Sequence, residues 1–160
     1  MYKNILLPID GSELSLRAAR HGIEFAKALG ATVTAIMVTT PWATQFAREL
    51  AVVVPGVLVP QNEYELRTEA AAANCLRVVA DDARSAGVAV RALHLRHRDP
   101  YVAILDAARA HGCELIVMAS HRRRGLSELL LGSETLKVLT HSEIPVLVYR
   151  PPGRSVALGL

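Results

Sequence analysis

What most limits the folds open to this chain is an alternation. Short runs rich in apolar and β-branched residues occur at 5–9 (ILLPI), 32–38 (TVTAIMV), 88–95 (VAVRALHL), 114–119 (ELIVMA) and 144–149 (IPVLVY). Between them lie stretches whose apolar residues recur at helical spacing. Runs of this length and composition read as strands. A strand that gives way to a helix before the next strand cannot close a hairpin, so it pairs in parallel through a crossover. The expected architecture is α/β: an open, doubly wound, five-stranded parallel sheet with helices on both faces, Rossmann-like in plan. Strands buried on both faces read as near-continuous apolar runs, as the first, fourth and fifth do here.

The helical stretches carry their own punctuation. Leu14, Ala18, Ala19, Ile23, Ala26 and Leu29 share one face of a helix that Gly30 stops. Asn62 with Glu65 reads as a capping pair opening a helix to about residue 86. That helix presents Ala72, Leu76, Val79 and Ala83, and Gly87 ends it. Asp99 and Pro100 read as the cap and first position of a helix that buries Tyr101, Ile104, Leu105 and Ala108 and stops at Gly112. Ser133 reads as the cap of a last helix running to about His141. The stretch from Thr40 to Pro60 is different, because Pro41, Pro55, Gly56 and Pro60 leave room only for a helical turn near 43–50. A connection this long suits a lid or a contact surface.

With 160 residues the chain reads as one domain over 1–150 and a tail at 151–160. Its 18 basic and 15 acidic residues leave a net charge of +3, mostly scattered. The single tight cluster, Arg122 to Arg124, has no aromatic residues beside it for base stacking, so nucleic acid is not the expected partner. No window approaches the length of a membrane span, and the start MYKNILLPID lacks the layout of a signal peptide. Cys75 and Cys113 have no CxxC spacing and read as buried thiols in a reducing compartment, so a cytoplasmic protein is expected. The histidines at 21, 94, 97, 111, 121 and 141 show no metal-ligand spacing, and no nucleophile elbow is present. No residue is assigned a catalytic or metal-binding role.

In a doubly wound sheet, ligands bind beyond the carboxyl ends of the strands where strand order reverses. Two strand ends are chemically distinctive. The first runs into Asp10-Gly11-Ser12. The fourth runs into ASHRRRG at 119–125, with LGSET following at 131–135. Gly132 and Ser133 at a helix start offer backbone N–H groups to an anion, since the first turn of a helix leaves them without internal partners. The alternative is that Asp10, Ser12 and Ser133 simply cap helices.

These stretches resemble the universal stress protein family. The resemblance covers about residues 2–150 and rests on NILLPIDGS, on DPYVAILDAA and on LIVMASHRRRGLSELLLGSETLKVLTHSEIPVLVYR. It implies strand order 3-2-1-4-5 and a homodimer. For some members it also implies ATP binding through a motif G-x2-G-x9-G-[ST]. Laid on this chain, that motif falls on Ala119, Arg122, Gly132 and Ser133. Ala119 is still small. Arg122 removes the freedom of a glycine and supplies a charged, multidentate donor, so the loop reads either as blocked or as closed by a side-chain clamp. The implied site comprises Pro8, Ile9 and Asp10 near the adenosine, Val38 against the base and Met118 in the wall. Its phosphate end comprises Ala119, Ser120, His121, Arg122, Gly132, Ser133, Glu134 and Thr135. The implied ligand is ATP or another adenine nucleotide, with Mg as its companion ion and at most slow, incidental hydrolysis. The competing reading is a stress protein that binds no nucleotide and works as a dimeric module on an unidentified protein partner.

The dimer has a reading in the residues as well. Pro145 cannot donate to a ladder, which suits an edge strand. Val146, Leu147, Val148 and Tyr149 would then form an apolar edge that needs covering, and a two-fold copy of itself can cover it. The tail, with Val156, Leu158 and Leu160, is the other candidate cover.

Overall fold

The computed structural model describes residues 1–49, 59–120 and 132–150. Along the chain come β1 (Asn4–Ile9), α1 (Glu13–Leu29), β2 (Thr32–Thr39), α2 (Trp42–Glu49), α3 (Gln61–Ser85), β3 (Val90–Arg96), α4 (Pro100–Ala110), β4 (Leu115–Ala119), α5 (Ser133–His141) and β5 (Val146–Tyr149). The sheet has the order β3-β2-β1-β4-β5, and every neighbouring pair is parallel. That is the expected architecture and strand order. Among the described residues no helix is long and apolar enough to cross a membrane.

The two-residue period of a strand sorts the core into two layers. Ile5, Leu7 and Ile9 of β1, Val33, Ala35 and Met37 of β2, and Leu115 and Val117 of β4 face α1 and α3. Those helices answer with Ala19, Ile23 and Ala26, and with Ala72, Leu76, Val79 and Ala83. On the other face Leu6, Ile36, Ile116 and Met118 meet Ile104, Leu105 and Ala108 of α4 and Val138 of α5. The helical faces expected for these segments are the ones buried.

Several local expectations are corrected. Asn62 does not cap α3. The helix starts one residue earlier, after Pro60, which makes no side-chain cap bond. Gln61, rather than Asn62, pairs with Glu65, donating from Nε2 to Oε1 at 2.9 Å. Asp99 occupies the cap position of α4 with Pro100 next, yet its side chain makes no cap bond. Ser133 is the first helical residue of α5 and Gly132 is the cap. β3 begins at Val90 and not at Val88, because the Val88 N–H closes the turn after α3 by donating to the Ala83 carbonyl at 2.9 Å. The helical turn expected near 43–50 is α2, while the apolar AVVV lies outside the described residues. Pro145 precedes β5. Its carbonyl accepts the Ile116 N–H at 2.9 Å, so its missing donor faces β4 and not the open edge. β5 is nonetheless an edge strand, paired only with β4.

α1 crosses the sheet at Gly22, and the approach is close. A Cβ at this position would lie 2.4 Å from Leu7 Cδ2 and 3.5 Å from Val117 Cβ and Cγ1. Leu7 is fully buried, so it has little room to withdraw. Gly22→Val is expected to cost about 1–3 kcal/mol by overpacking. Urea unfolding should show a lower midpoint with an unchanged slope.

Candidate functional site

The candidate site exists because β1 and β4 stop pairing. In a parallel ladder alternate residues address alternate neighbours. The Lys3 carbonyl accepts the Thr32 N–H from the β2 side at 2.8 Å, and the Asn4 carbonyl accepts the Glu114 N–H from the β4 side at 2.9 Å. By the same alternation Leu6 and Pro8 address β4. The regular β1–β4 register ends at Leu6 opposite Ile116, whereas β1 stays with β2 as far as Ile9 opposite Met37. Pro8 has no N–H to continue toward β4. The two strands part there, at the point where strand order reverses.

A crevice of about 170 Å³ fills the gap. Pro8, Ile9, Ile36, Val38, Met118 and Ala119 line it from the strands, and Pro100 and Ile104 line it from α4. Its polar lining is Asp10, Ser15, Glu134 and Thr135. The volume is below the roughly 300 Å³ at which pockets begin to enclose whole drug-sized molecules. It takes one ring system, with the rest of a ligand extending outward.

Each polar group is held by local backbone. Asp10 Oδ1 accepts the Ser12 N–H at 3.0 Å. Ser12 Oγ caps α1 by accepting the Ser15 N–H at 3.1 Å, so the capping alternative holds for Ser12. Ser15 Oγ donates to the Ser12 carbonyl at 2.9 Å and accepts from the Asp10 N–H at 3.3 Å. Between Asp10 and Ser12 stands Gly11 at φ 83°, where a side chain would also press on Cys75 Sγ at 3.2 Å. The turn therefore presents Asp10 in a set position at the mouth.

The opposite wall is tied down by α5. Thr135, which is buried, donates from Oγ1 to the Ala119 carbonyl at 2.9 Å and pins the helix to the end of β4. Glu134 Oε2 accepts the Tyr101 N–H at 3.0 Å, supplying α4 with the cap that Asp99 does not. Glu134 Oε1 also receives Lys137 Nζ at 2.8 Å, and that ammonium lies 5.4 Å from the Tyr101 ring centroid. Gly132 has φ −56°, a value open to any residue, so what glycine offers there is the absence of a side chain.

Of the residues singled out in the sequence, Pro8, Ile9, Asp10, Val38, Met118, Ala119, Glu134 and Thr135 line this crevice. Ser120, Gly132 and Ser133 do not. The Ser120 N–H instead extends the β4–β5 pairing by donating to the Tyr149 carbonyl at 3.1 Å. His121 and Arg122 lie outside the described residues. Four lining residues went unrecognised: Ser15, Ile36, Pro100 and Ile104. Ile36 had a signal, since it stands two residues before Val38 on the same strand face. Pro100 and Ile104 had none pointing to a site, because only the crossover after β3 brings α4 over this crevice.

Chemically the crevice offers an apolar slot with carboxylates at its rim and no basic side chain among its described lining residues. Such a slot suits an uncharged ring bearing hydroxyl or amino groups. A strongly anionic part of the same ligand must be met elsewhere, toward the first turn of α5 and the segment before it.

The model of the universal stress protein family matches residues 1–150. The chain belongs to that family. It is similar to the universal stress protein MJ0531 of Methanocaldococcus jannaschii, with 33% identity over 158 residues, covering 96% of this chain and 85% of that protein. The solved structure of MJ0577 from the same organism superposes with a TM-score of 0.75 at 27% identity, covering 96% of this chain and 99% of that one. A universal stress protein solved in complex with cAMP gives a TM-score of 0.66 at 24% identity, covering 93% and 97% of the two chains. One from Archaeoglobus fulgidus in complex with dAMP gives 0.60 at 19%, covering 92% and 97%.

In this universal stress protein the Thr135 hydroxyl adds a hydrogen bond to the apolar contact between α5 and β4. Thr135→Val keeps the shape and leaves the buried Ala119 carbonyl without that donor. The expected loss is about 1–3 kcal/mol, read as a lower urea midpoint.

Proposed function

We propose that the protein binds an adenine nucleotide, ATP among them, with the nucleoside end in the crevice between β1 and β4. The observation that carries this reading is the crevice itself: an apolar slot at the strand-order reversal, with Asp10 held at one rim and the first turn of α5 at the other. The purine lies against Val38 and Met118, the ribose hydroxyls reach the Asp10 carboxylate, and the phosphates extend toward Gly132 and Ser133. Relatives in complex with cAMP and dAMP support the same ligand class. The described lining carries no cation, so the phosphates need charge from the 121–131 segment, and we assign that role to Arg122, with Mg as the companion ion. Binding rather than turnover is the reading, because Asp10, Ser15 and Thr135 all hold backbone groups. The setting is a cytoplasmic stress response.

Isothermal titration calorimetry with ATP and adenosine tests this. Val38→Trp fills the slot and should weaken both ligands more than about tenfold, a change of roughly 1.4 kcal/mol. Arg122→Ala should weaken ATP by roughly tenfold, as loss of a charge-assisted bond does, and leave adenosine unchanged. Tighter ATP binding by Arg122→Ala would mean that the arginine blocks the loop. A wild type that binds neither ligand, and carries no nucleotide when purified and analysed by mass spectrometry, would favour the interaction reading.

A homodimer through β5 completes the proposal. β5 presents Val146, Leu147, Val148 and Tyr149, each half-buried, on a strand paired on one side only. An antiparallel copy across a two-fold axis would cover that edge. Sedimentation should give a dimer at micromolar concentration and a monomer for the Val146→Lys, Val148→Lys variant. A dimer surviving both lysines would put the interface elsewhere.

A further inference from the structure

A second cavity lies at the opposite, amino end of the sheet. Its volume, about 270 Å³, exceeds that of the crevice already described. Every connection at this end of the sheet (residues 30–31, 86–89, 111–114 and 142–145) lies within the described residues. The lining is rich in polar groups and includes Asn4, Thr32, Thr34, Arg91 and His111 but no carboxylate.

Arg91 is the unusual member. Among the described residues its polar partner is His111 Nδ1, at 2.6 Å, and no carboxylate lies within ion-pair distance of it. A guanidinium can only donate, so the ring nitrogen facing it is the acceptor. One N–H of the fork is used in this way. The rest of the planar fork is the arrangement that fits a carboxylate or phosphoryl group in two-point contact.

The polar groups beside Arg91 are tied to one another and to the backbone, the Thr32 hydroxyl donating to the Lys3 carbonyl at 3.2 Å. His111 stands at the carboxyl end of α4, where backbone carbonyls would oppose an anion. Its carbonyl is already engaged by Asn4 Nδ2 at 2.8 Å. Asn4 Oδ1 in turn accepts from Thr34 Oγ1 at 3.2 Å and lies 3.4 Å from Thr32 Oγ1. Burial raises the pKa of the Cys113 thiol behind this wall. Arg91 is exposed like the arginines of α1, α3 and α4, but those pair with acids along or between helices, whereas the cavity beside Arg91 supplies it none.

We infer that this cavity is a second ligand site, for a small organic anion whose carboxylate or phosphoryl oxygens bind Arg91 and whose remaining polar groups bind Thr32 and Asn4. It is independent of the nucleotide reading, since no residue is shared between the two cavities.

NMR on the isotopically labelled full chain tests it, with inorganic phosphate and malonate as probes and potassium chloride as the control at matched ionic strength. Saturable shifts are expected at the Arg91 side chain, the His111 ring and the Thr32 amide. Arg91→Gln should weaken them roughly tenfold or more, and Arg91→Lys, which keeps the charge without the fork, should fall between. A stronger response to malonate than to phosphate would identify a carboxylate ligand, and the reverse a phosphoryl one; either supports the site. Phosphate held at the first turn of α5 would give separate shifts at Ser133 and Glu134 that Arg91→Gln leaves intact. The proposal fails if Arg91, His111 and Thr32 do not respond to tens of millimolar of either probe. It fails equally if their response is the same in Arg91→Gln with the amide spectrum still dispersed.

Discussion

The site depends on one missing hydrogen-bond donor. β1 is the central strand and must pair on both sides, yet Pro8 lacks the N–H that would carry the ladder on toward β4. Pairing with β2 continues to Ile9 on the other side. The chain therefore keeps a well-held central strand and opens a gap on one flank only. The gap falls where the chains leaving β1 and β4 go to opposite faces, α1 to one layer and α5 to the other. Removing one ladder bond at an ordinary position would leave a small defect. At the reversal of strand order it leaves a cavity lined by the first turns of α1, α4 and α5.

Around that gap the polar residues hold each other and the backbone. Ser12 caps α1, Ser15 links the cap to Asp10, and Asp10 closes the turn that displays it. Glu134 supplies from α5 the cap that α4 lacks, and Thr135 fixes α5 to β4. Each described wall is thus fixed from within, one by the turn after β1 and the other by the bonds of α5 to α4 and β4. Pre-set walls lower the ordering cost of binding.

The described linings of the two cavities carry opposite charge. At the carboxyl end the described cavity lining has Asp10 and Glu134 and no base. The amino-end cavity lining has Arg91 and His111 and no acid. Helix dipoles alone would favour anions at the first end and cations at the second. Among the described lining residues the side chains run against that preference at both ends.

Much of this was legible along the chain. Continuous apolar runs separated by helix-period segments have one economical arrangement, so the parallel sheet and its buried faces followed from local pattern. That the ends of the first and fourth strands face a ligand crevice followed too, because a doubly wound sheet puts its carboxyl ends at the ligand side, whereas Pro8, Ile9, Val38 and Met118 were named through the resemblance to the family. Helix starts were less legible at the level of single bonds. Asn62, Asp99 and Ser133 have the right side chains for caps, but a cap bond depends on where the first turn sets its N–H groups, and that is decided by packing. The Glu134–Tyr101 bond joins residues 33 apart in sequence, and nothing local announces it. The same holds for Ile104 over the crevice and for Arg91 beside His111. By itself, the sequence determined the layers and the buried faces, since these follow from periodicity. Which side chains face one another across a cavity was decided only by the tertiary structure, because the crossovers bring together residues that local spacing never relates.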